Sequence, residues 1–260
     1  MENAPVLYEK ENGIGQMTLN RPENRNSMDA ELLSAFQQIV SQVKEDKTLR
    51  CLVITGTGKS FCAGADFKSA MVDTEGLLFH EVFMSLYEPF LAVGDLPIPT
   101  IAAMNGHAIG GGFGLAVMCD LRVAKKNARY GANFARLGLH PGMATTYVLP
   151  RLAGLPRACE LLFTGRLFDG DEALAMGLVN DAEEEENVLP RALELAGEIA
   201  VSAPAAVRMM KNTIYRHLDW NPRDAARYEA HCQSRTFEME DAKEGITALL
   251  EKRKPDFRGK

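Results

Sequence analysis

The sequence predicts an α/β fold with a helical C-terminal region. Three observations lead there. Short apolar runs rich in β-branched residues alternate with segments whose apolar residues recur at helical spacing. Glycines stand where the apolar runs end. Beyond Leu178 the strand-like runs stop and only helical patterns remain. Strand–helix alternation with glycine-rich breaks implies an α/β fold with crossover connections.

Residues 6–9 and 14–19 read as two strands around the turn Asn12-Gly13. A helix entered at Ser27 or Asp29 follows, with Leu32, Leu33, Phe36, Ile39, Val40 and Val43 on one face. The run Cys51-Leu52-Val53-Ile54 is a buried strand by its length and branching, and Gly56-Thr57-Gly58 ends it. A second helix is expected over 75–92, with Leu78, Val82, Leu86 and Phe90 aligned. A strand over 100–104, a glycine-rich break and a short helix over 113–118 come next. Strands at 121–124 and near Tyr130 complete this part. The acidic run 183–186 reads as a solvated turn. Helices are predicted over 188–201, 204–217, 223–238 and 241–252, the last opening on the capping-box pattern Asp241-x-x-Glu244. The expected division is a core over 1–195 and a helical oligomerisation region over 196–260. The terminal helices have too few apolar residues for a core of their own, so they should pack on the first part or on another subunit.

Composition excludes several classes. The 260 residues are 46% hydrophobic and 25% charged, ordinary globular values, and the net charge of −6 argues against a nucleic-acid binder. The one basic cluster, Lys252-Arg253-Lys254, is short. No apolar run is long enough to span a bilayer. The start, Met1-Glu2-Asn3-Ala4-Pro5, lacks the basic-then-apolar pattern of a secretion signal, so a cytoplasmic protein is expected. Cysteines 51, 62, 119, 159 and 232 form no Cys-x-x-Cys pair. They are expected as reduced, mostly buried thiols, with no metal site.

Two glycine-rich stretches are decoys. Gly56-Thr57-Gly58-Lys59-Ser60 resembles a phosphate loop, but Val53 stands where the first glycine is required. The run 110–114 resembles a dinucleotide loop, but Leu115 replaces its third glycine. Two stretches remain: Ser60-Phe61-Cys62-Ala63-Gly64-Ala65-Asp66-Phe67-Lys68, and residues 105–116 around Gly110-Gly111-Gly112. Each follows a buried strand and leads toward a helix. Small residues let a ligand reach the main chain, and unpaired N–H groups cluster at helix starts. Such donors suit a developing oxyanion. Taken singly, either stretch could equally serve tight helix–strand packing.

Together they resemble the crotonase (enoyl-CoA hydratase/isomerase) superfamily. The resemblance covers nearly the whole chain. It runs from Leu19-Asn20-Arg21-Pro22-Glu23-x-x-Asn26 through both stretches to Cys119-Asp120 and Leu137-Gly138-Leu139-His140-Pro141-Gly142. Leu161-x-x-Thr164-Gly165, Ala173-x-x-x-Gly177-Leu178-Val179 and Glu251-Lys252-Arg253-Lys254-Pro255-x-Phe257 continue it. The resemblance implies a spiral of ββα units with a C-terminal trimerising helical region, as a homotrimer or homohexamer. It implies an acyl-CoA thioester as ligand, with no cofactor beyond the coenzyme A of the substrate. The Ala65 and Gly111 N–H groups should form the oxyanion hole. Asn24, Arg25, Ala65, Asp66, Phe67 and Lys68 should contact CoA, with Lys252 and Phe257 reaching it from a neighbouring subunit.

The sequence departs from the hydratase pattern where the chemistry lies. Hydratases of the family carry two glutamates, whose separate environments set their protonation states apart. The matching positions hold Gly114 and Phe134. An aspartate used by some isomerase and dehalogenase members is replaced by Gly142. Residues 110–114 with Ala144-Thr145-Thr146-Tyr147 look like the aryl-CoA dehalogenase branch, yet that branch's aspartate is this missing one. Hydration by the two-glutamate route is therefore not expected. Phe113 and Phe134 are expected to fill the vacated volume and dry the site.

Four residues are candidates for the acid/base work: His140, in the segment lining the acyl pocket, and His80, Glu81 and Tyr87 on the helix above it. For His140 the alternative is a residue bonded to backbone. For the other three it is a solvated helix face. His107 is expected to support the glycine loop, whereas His217 and His231 carry no signal. Double-bond isomerisation through a thioester enolate is the expected chemistry, because it needs one proton shuttle and no placed water. Decarboxylation, hydrolysis and catalytically silent CoA-ester binding are the alternatives.

Overall fold

The computed structural model describes residues 4–66, 78–216 and 219–260. Strands β1 (Val6–Glu11) and β2 (Ile14–Leu19) form an antiparallel hairpin. Its turn residues Asn12 and Gly13 both take positive φ, which matches the twist of a two-residue hairpin. The predicted first helix is α1 (Ala30–Glu45), capped by the Asp29 carboxylate, which accepts the Leu32 N–H at 2.8 Å.

Three strand pairs then follow: β3 (Cys51–Gly56) with β4 (Ser60–Cys62), β5 (Thr100–Met104) with β6 (His107–Ile109), and β7 (Leu121–Lys125) with β8 (Tyr130–Gly131). The first member of each pair joins a six-stranded sheet ordered β1-β2-β3-β5-β7-β9, where β9 is Asp181–Glu183. The second member joins a three-stranded sheet ordered β4-β6-β8. Apart from the β1–β2 hairpin, neighbouring strands are parallel. Each pair thus adds one rung to two sheets at once, a spiral of ββα units. Helix α2 (Phe79–Leu91) lies between β4 and β5, and α3 (Gly111–Met118) between β6 and β7.

The central strands β3, β5 and β7 of the large sheet are buried on both faces, which is why they read as apolar runs. Leu52, Ile54, Ala102, Met104 and Ala124 enter the main core with Leu32, Phe36 and Phe90. Cys51, Val53, Ile101, Ala103 and Val123 face a second layer of Val188, Ala192 and Ala196.

Three helices not marked by the sequence reading, α4 (Thr145–Ala153), α5 (Leu155–Thr164) and α6 (Gly170–Ala175), connect the small sheet to β9. Next comes α7 (Glu185–Ala200), which corrects the reading of the acidic run. The acidic run is not a free turn: Glu184 is the N-cap and Glu185 and Glu186 form the first turn, where negative charge favours the helix dipole. Residue 195, the expected boundary, falls inside this helix, which is continuous to Ala200 and packs on the sheet. Helices α8 (Pro204–Arg216), α9 (Pro222–Phe237) and α10 (Glu240–Glu251) follow.

A buried charge cluster fastens α8 to the core. The Lys211 ammonium donates to Asp120 Oδ2 at 2.8 Å and to the Ile98 carbonyl at 2.9 Å. Asp120 also accepts the Thr100 N–H and the Tyr215 hydroxyl, each at 2.7 Å. Burial first, and the Asp120 charge second, raise the Tyr215 pKa.

Candidate active site

The two small-residue stretches meet at one point. The Met28 N–H donates to the Gly64 carbonyl at 2.8 Å, and the Asp66 N–H donates to the Met28 carbonyl. These two bonds bracket Ala65 in a parallel bridge, so the N–H and carbonyl of Ala65 itself point to the opposite side. Across the gap, Gly110 turns the chain from β6 into α3 with φ 55° and ψ −118°, a conformation reserved for glycine. The first intrahelical bond runs from Gly114 N–H to Gly110 O, leaving the N–H groups of residues 111–113 outside the ladder.

Absent side chains set the spacing. A Cβ at Gly64 would lie 2.7 Å from the Ile109 carbonyl and 3.2 Å from the Gly111 nitrogen. A Cβ at Gly112 would overlap the Cys62 carbonyl. The β4 end and the α3 start are therefore in backbone contact. Two N–H donors fixed by such contact, one at a helix N-terminus, suit a carbonyl oxygen that gains negative charge.

The far end of α3 is held by a buried cation. Arg122 donates to the carbonyls of Ala116, Cys119, Asp120 and Leu178. Burial lowers its pKa, but these carbonyls, several from the helix C-terminus, stabilise the guanidinium. No motif marked Arg122 beforehand; it sits one residue beyond Cys119-Asp120-Leu121 and needed the fold to be recognised.

Each of the three vacant carboxylate positions is blocked or filled. A Cβ at Gly114 would overlap Met143 Cβ and lie 2.7 Å from Met143 Cγ. Met143 is fully buried and, like Ala144, has positive φ (57° and 52°). The Phe134 ring reaches the glycine turn, with Cζ 3.7 Å from the position of a Cβ on Gly110. A Cβ at Gly142 would overlap the Tyr87 hydroxyl and lie 2.6 Å from Tyr87 Cζ. Phe113, expected beside Phe134, instead packs inward, edge-on to Phe168 at 5.6 Å. Its backbone belongs to the site but its side chain to the core. Met143 takes the filling role, which the sequence reading missed because Met143 meets Gly114 only in the folded chain.

The polar candidates separate clearly. Tyr87 is half-buried, stacks on Phe83 at 6.2 Å, and its hydroxyl makes no hydrogen bond among the described residues. Burial raises its pKa. His140 is exposed, and its Nδ1 lies 2.8 Å from the Pro141 carbonyl, which only accepts, so in the neutral imidazole Nδ1 is the donor and Nε2 the acceptor. His80 and Glu81 are exposed in the first turn of α2, and Glu81 reaches back to the Leu78 N–H as a cap. His107 accepts the Arg129 N–H at 2.9 Å, tying β6 to the turn before β8. Burial, helped by the cations of Lys125, Arg129 and Arg25, lowers its pKa. His231 is exposed on α9.

Asn24 and Arg25 lie in the loop before α1, and the Arg25 carbonyl accepts the Ala63 N–H at 3.1 Å, which ties this loop to the β4 end. Asn26 is spent internally, its amide holding Arg21 N, Thr57 O and Ser60 O. Asp66 follows Ala65 directly, while Phe67, Lys68 and His217 lie outside the described residues. Lys252 ends α10 in the left-handed conformation. Phe257 packs on its own chain, against Gly245, with its carbonyl gripped by Arg50 at 2.6 Å. Cys51, Cys62 and Cys119 are buried, and burial pushes each thiol up to about 12. Cys159 and Cys232 are partly exposed. Among the described residues, no three His, Cys, Asp or Glu side chains converge as a metal site. Nor is any described helix long and apolar enough to cross a membrane.

Comparison with known proteins agrees with this geometry. The family model described as enoyl-CoA hydratase/isomerase matches residues 9–260. A short-chain-enoyl-CoA hydratase of Clostridium acetobutylicum is 36% identical, over 98% of this chain and 97% of its own length. A crotonyl-CoA hydratase of Syntrophomonas wolfei is 36% identical over 97% of each chain. The crystal structure of an enoyl-CoA hydratase from Bacillus anthracis superposes with a TM-score of 0.92 at 33% identity, covering 98% of this chain and 100% of that one. The shared spiral and the match along almost the full length place this chain among the enzymes of the enoyl-CoA hydratase/isomerase family, and so in the crotonase superfamily.

Proposed function

We propose that this enzyme moves a double bond in an acyl-CoA through a thioester enolate, rather than adding water across it. The oxygen of the thioester sits between the N–H groups of Ala65 and Gly111. The observation behind this reading is the filling of the hydratase positions: Met143 presses on Gly114, and a phenyl ring stands at 134. A pocket without either carboxylate, and narrowed by Met143 and Phe134, lacks the carboxylate pair that holds and activates a water. Enolate formation needs only the oxyanion donors and one proton shuttle. Losing one such donor typically costs about 3–4 kcal/mol of transition-state stabilisation.

His140 supplies the base. Its Nδ1–H bond to the Pro141 carbonyl presents Nε2 as the acceptor, two residues from the Gly142 contact with Tyr87. Glu81 takes no part in proton transfer, because its carboxylate caps the Leu78 N–H. CoA lies along Asn24, Arg25 and Asp66, with Phe67 and Lys68 next in sequence. The reaction keeps its electrons within the substrate and uses no cofactor beyond the CoA that the substrate carries. The chain assembles as a homotrimer or homohexamer through its C-terminal helices. Strongly exposed apolar side chains there, Val201, Phe237, Leu249 and Leu250, support this assembly.

The test is mass spectrometry of a panel of enoyl-, malonyl- and β-keto-acyl-CoAs incubated with the protein in heavy water. Deuterium at the α or γ carbon is expected. Loss of carbon dioxide would replace isomerisation by decarboxylation, and release of free CoA would replace it by hydrolysis. Binding with no change in any compound would make the protein a silent CoA-ester binder.

A further inference from the structure

Tyr87 places its hydroxyl against Gly142 without a hydrogen-bond partner among the described residues. Its oxygen occupies the space a side chain at position 142 would take. The next residue, Met143, packs on Gly114, and Gly114 lies about one helical turn from Gly111. The hydroxyl is therefore separated from the α3 N-terminus by one residue and one turn of helix. Helix α2 carries Tyr87 into the main core, where Phe90 is fully buried and Leu86 partly so, so the ring is positioned by packing and not by a loop. The hydroxyl is not among the buried polar atoms and has no hydrogen-bond partner among the described residues, so it is open to a ligand.

We propose that Tyr87 is the proton donor of the reaction, delivering its hydroxyl proton to the carbon of the enolate that is not deprotonated by His140. This rests on the enolate reading given above. His140 Nε2 takes the α proton, and the C–H electron pair enters the dienolate held by the Ala65 and Gly111 N–H groups. The Tyr87 O–H bond breaks and its proton joins the γ carbon, the oxygen keeping the electron pair as phenolate. The phenolate then recovers a proton from the His140 imidazolium through solvent, and both groups return to their starting states. Burial keeps the phenol protonated before the step, so it serves as donor.

Tyr87→Phe removes only the oxygen and leaves the ring packed on Phe83 and Gly142. Deuterium incorporation at the γ carbon in heavy water should fall about 10²-fold or more in this variant. Deuterium exchange at the α carbon, which needs only His140 and the oxyanion donors, should persist. Binding of a saturated acyl-CoA, measured by calorimetry, should stay within about twofold, as expected of a group that acts mainly on the transition state. An unchanged γ-carbon rate in Tyr87→Phe, with the wild type active, would remove Tyr87 from the mechanism and leave the enolate reading standing. Loss of α exchange and binding together in this variant would assign Tyr87 a packing role and overturn the proposal. A wild type that exchanges at neither carbon would overturn the enolate reading itself, and the donor role with it.

Discussion

A side chain at position 114 would have to share space with Met143. The overlap involves Met143 Cβ, which is bound to the backbone and cannot swing aside. Restoring the family carboxylate by Gly114→Glu alone should therefore overpack the site. The expected cost is about 1–3 kcal/mol, read as a lower urea midpoint. Removing the clashing Cβ in Gly114→Glu/Met143→Gly, at a position already in the left-handed conformation, should return most of that loss. Water addition to crotonyl-CoA, followed by loss of the enoyl thioester absorbance, should remain below the level of a two-glutamate hydratase, because Phe134 still occupies the second position. A fully stable Gly114→Glu protein would show that the Met143 contact yields easily and would weaken the account of a filled pocket. Tyr87 belongs to the same logic: a hydroxyl occupies the place of a missing side chain, and its chemistry differs because phenol holds its proton where a carboxylate does not.

At the scale of elements, α3 and α8 are each fixed by one buried cation, but in different ways. Arg122 meets carbonyl oxygens and completes the C-terminus of α3. Lys211 meets a carboxylate and joins α8 to the strand that starts at Thr100. Removing only one partner of such a pair leaves a buried charge uncompensated. Lys211→Met should cost about 3–5 kcal/mol in chemical denaturation, whereas Lys211→Met/Asp120→Asn should recover part of it. If the single and double variants are equally stable, the pair does not hold α8 in place. The glycine contacts between β4 and α3 do for the site what Lys211 does for α8: they fix two elements at backbone distance, which side chains would prevent.

Across the whole molecule, the C-terminal tail folds back on its own chain. Glu244 binds the Arg253 guanidinium and the Asp256 N–H, Asp241 binds the N–H groups of Arg258 and Gly259, and Arg50 holds the Phe257 carbonyl. The Arg253 bond, aided by the Asp256 N–H, lowers the Glu244 pKa from 4.5 to about 2. Because the folded state holds this carboxylate deprotonated more strongly than the unfolded chain does, its contribution is complete above pH 4.5. That contribution fades as the pH falls toward about 2. Thermal melts over this range should show a decline that is shallower in Glu244→Gln. The site is exposed, so the difference should be small and should shrink further in high salt. Equal slopes in both proteins would mean that the tail contact does not couple to global unfolding.

The sequence by itself determined the α/β class, the hairpin, the buried strands and the terminal helices, because each shows in a local period: two, three-point-six or an unbroken apolar run. It also located the glycine stretches and the missing carboxylates, since identity at a position needs no fold. Strands β4 and β6, of three residues each, left no period to read and exist only through pairing in the small sheet, whereas β8 lies where a strand near Tyr130 was expected. The tertiary structure alone decided what replaces the carboxylates. Met143 lies 29 positions from Gly114, and Tyr87 lies 55 from Gly142, yet each pair is in van der Waals overlap range. Packing brings such residues together, and packing depends on shape across the whole core rather than on any neighbour along the chain.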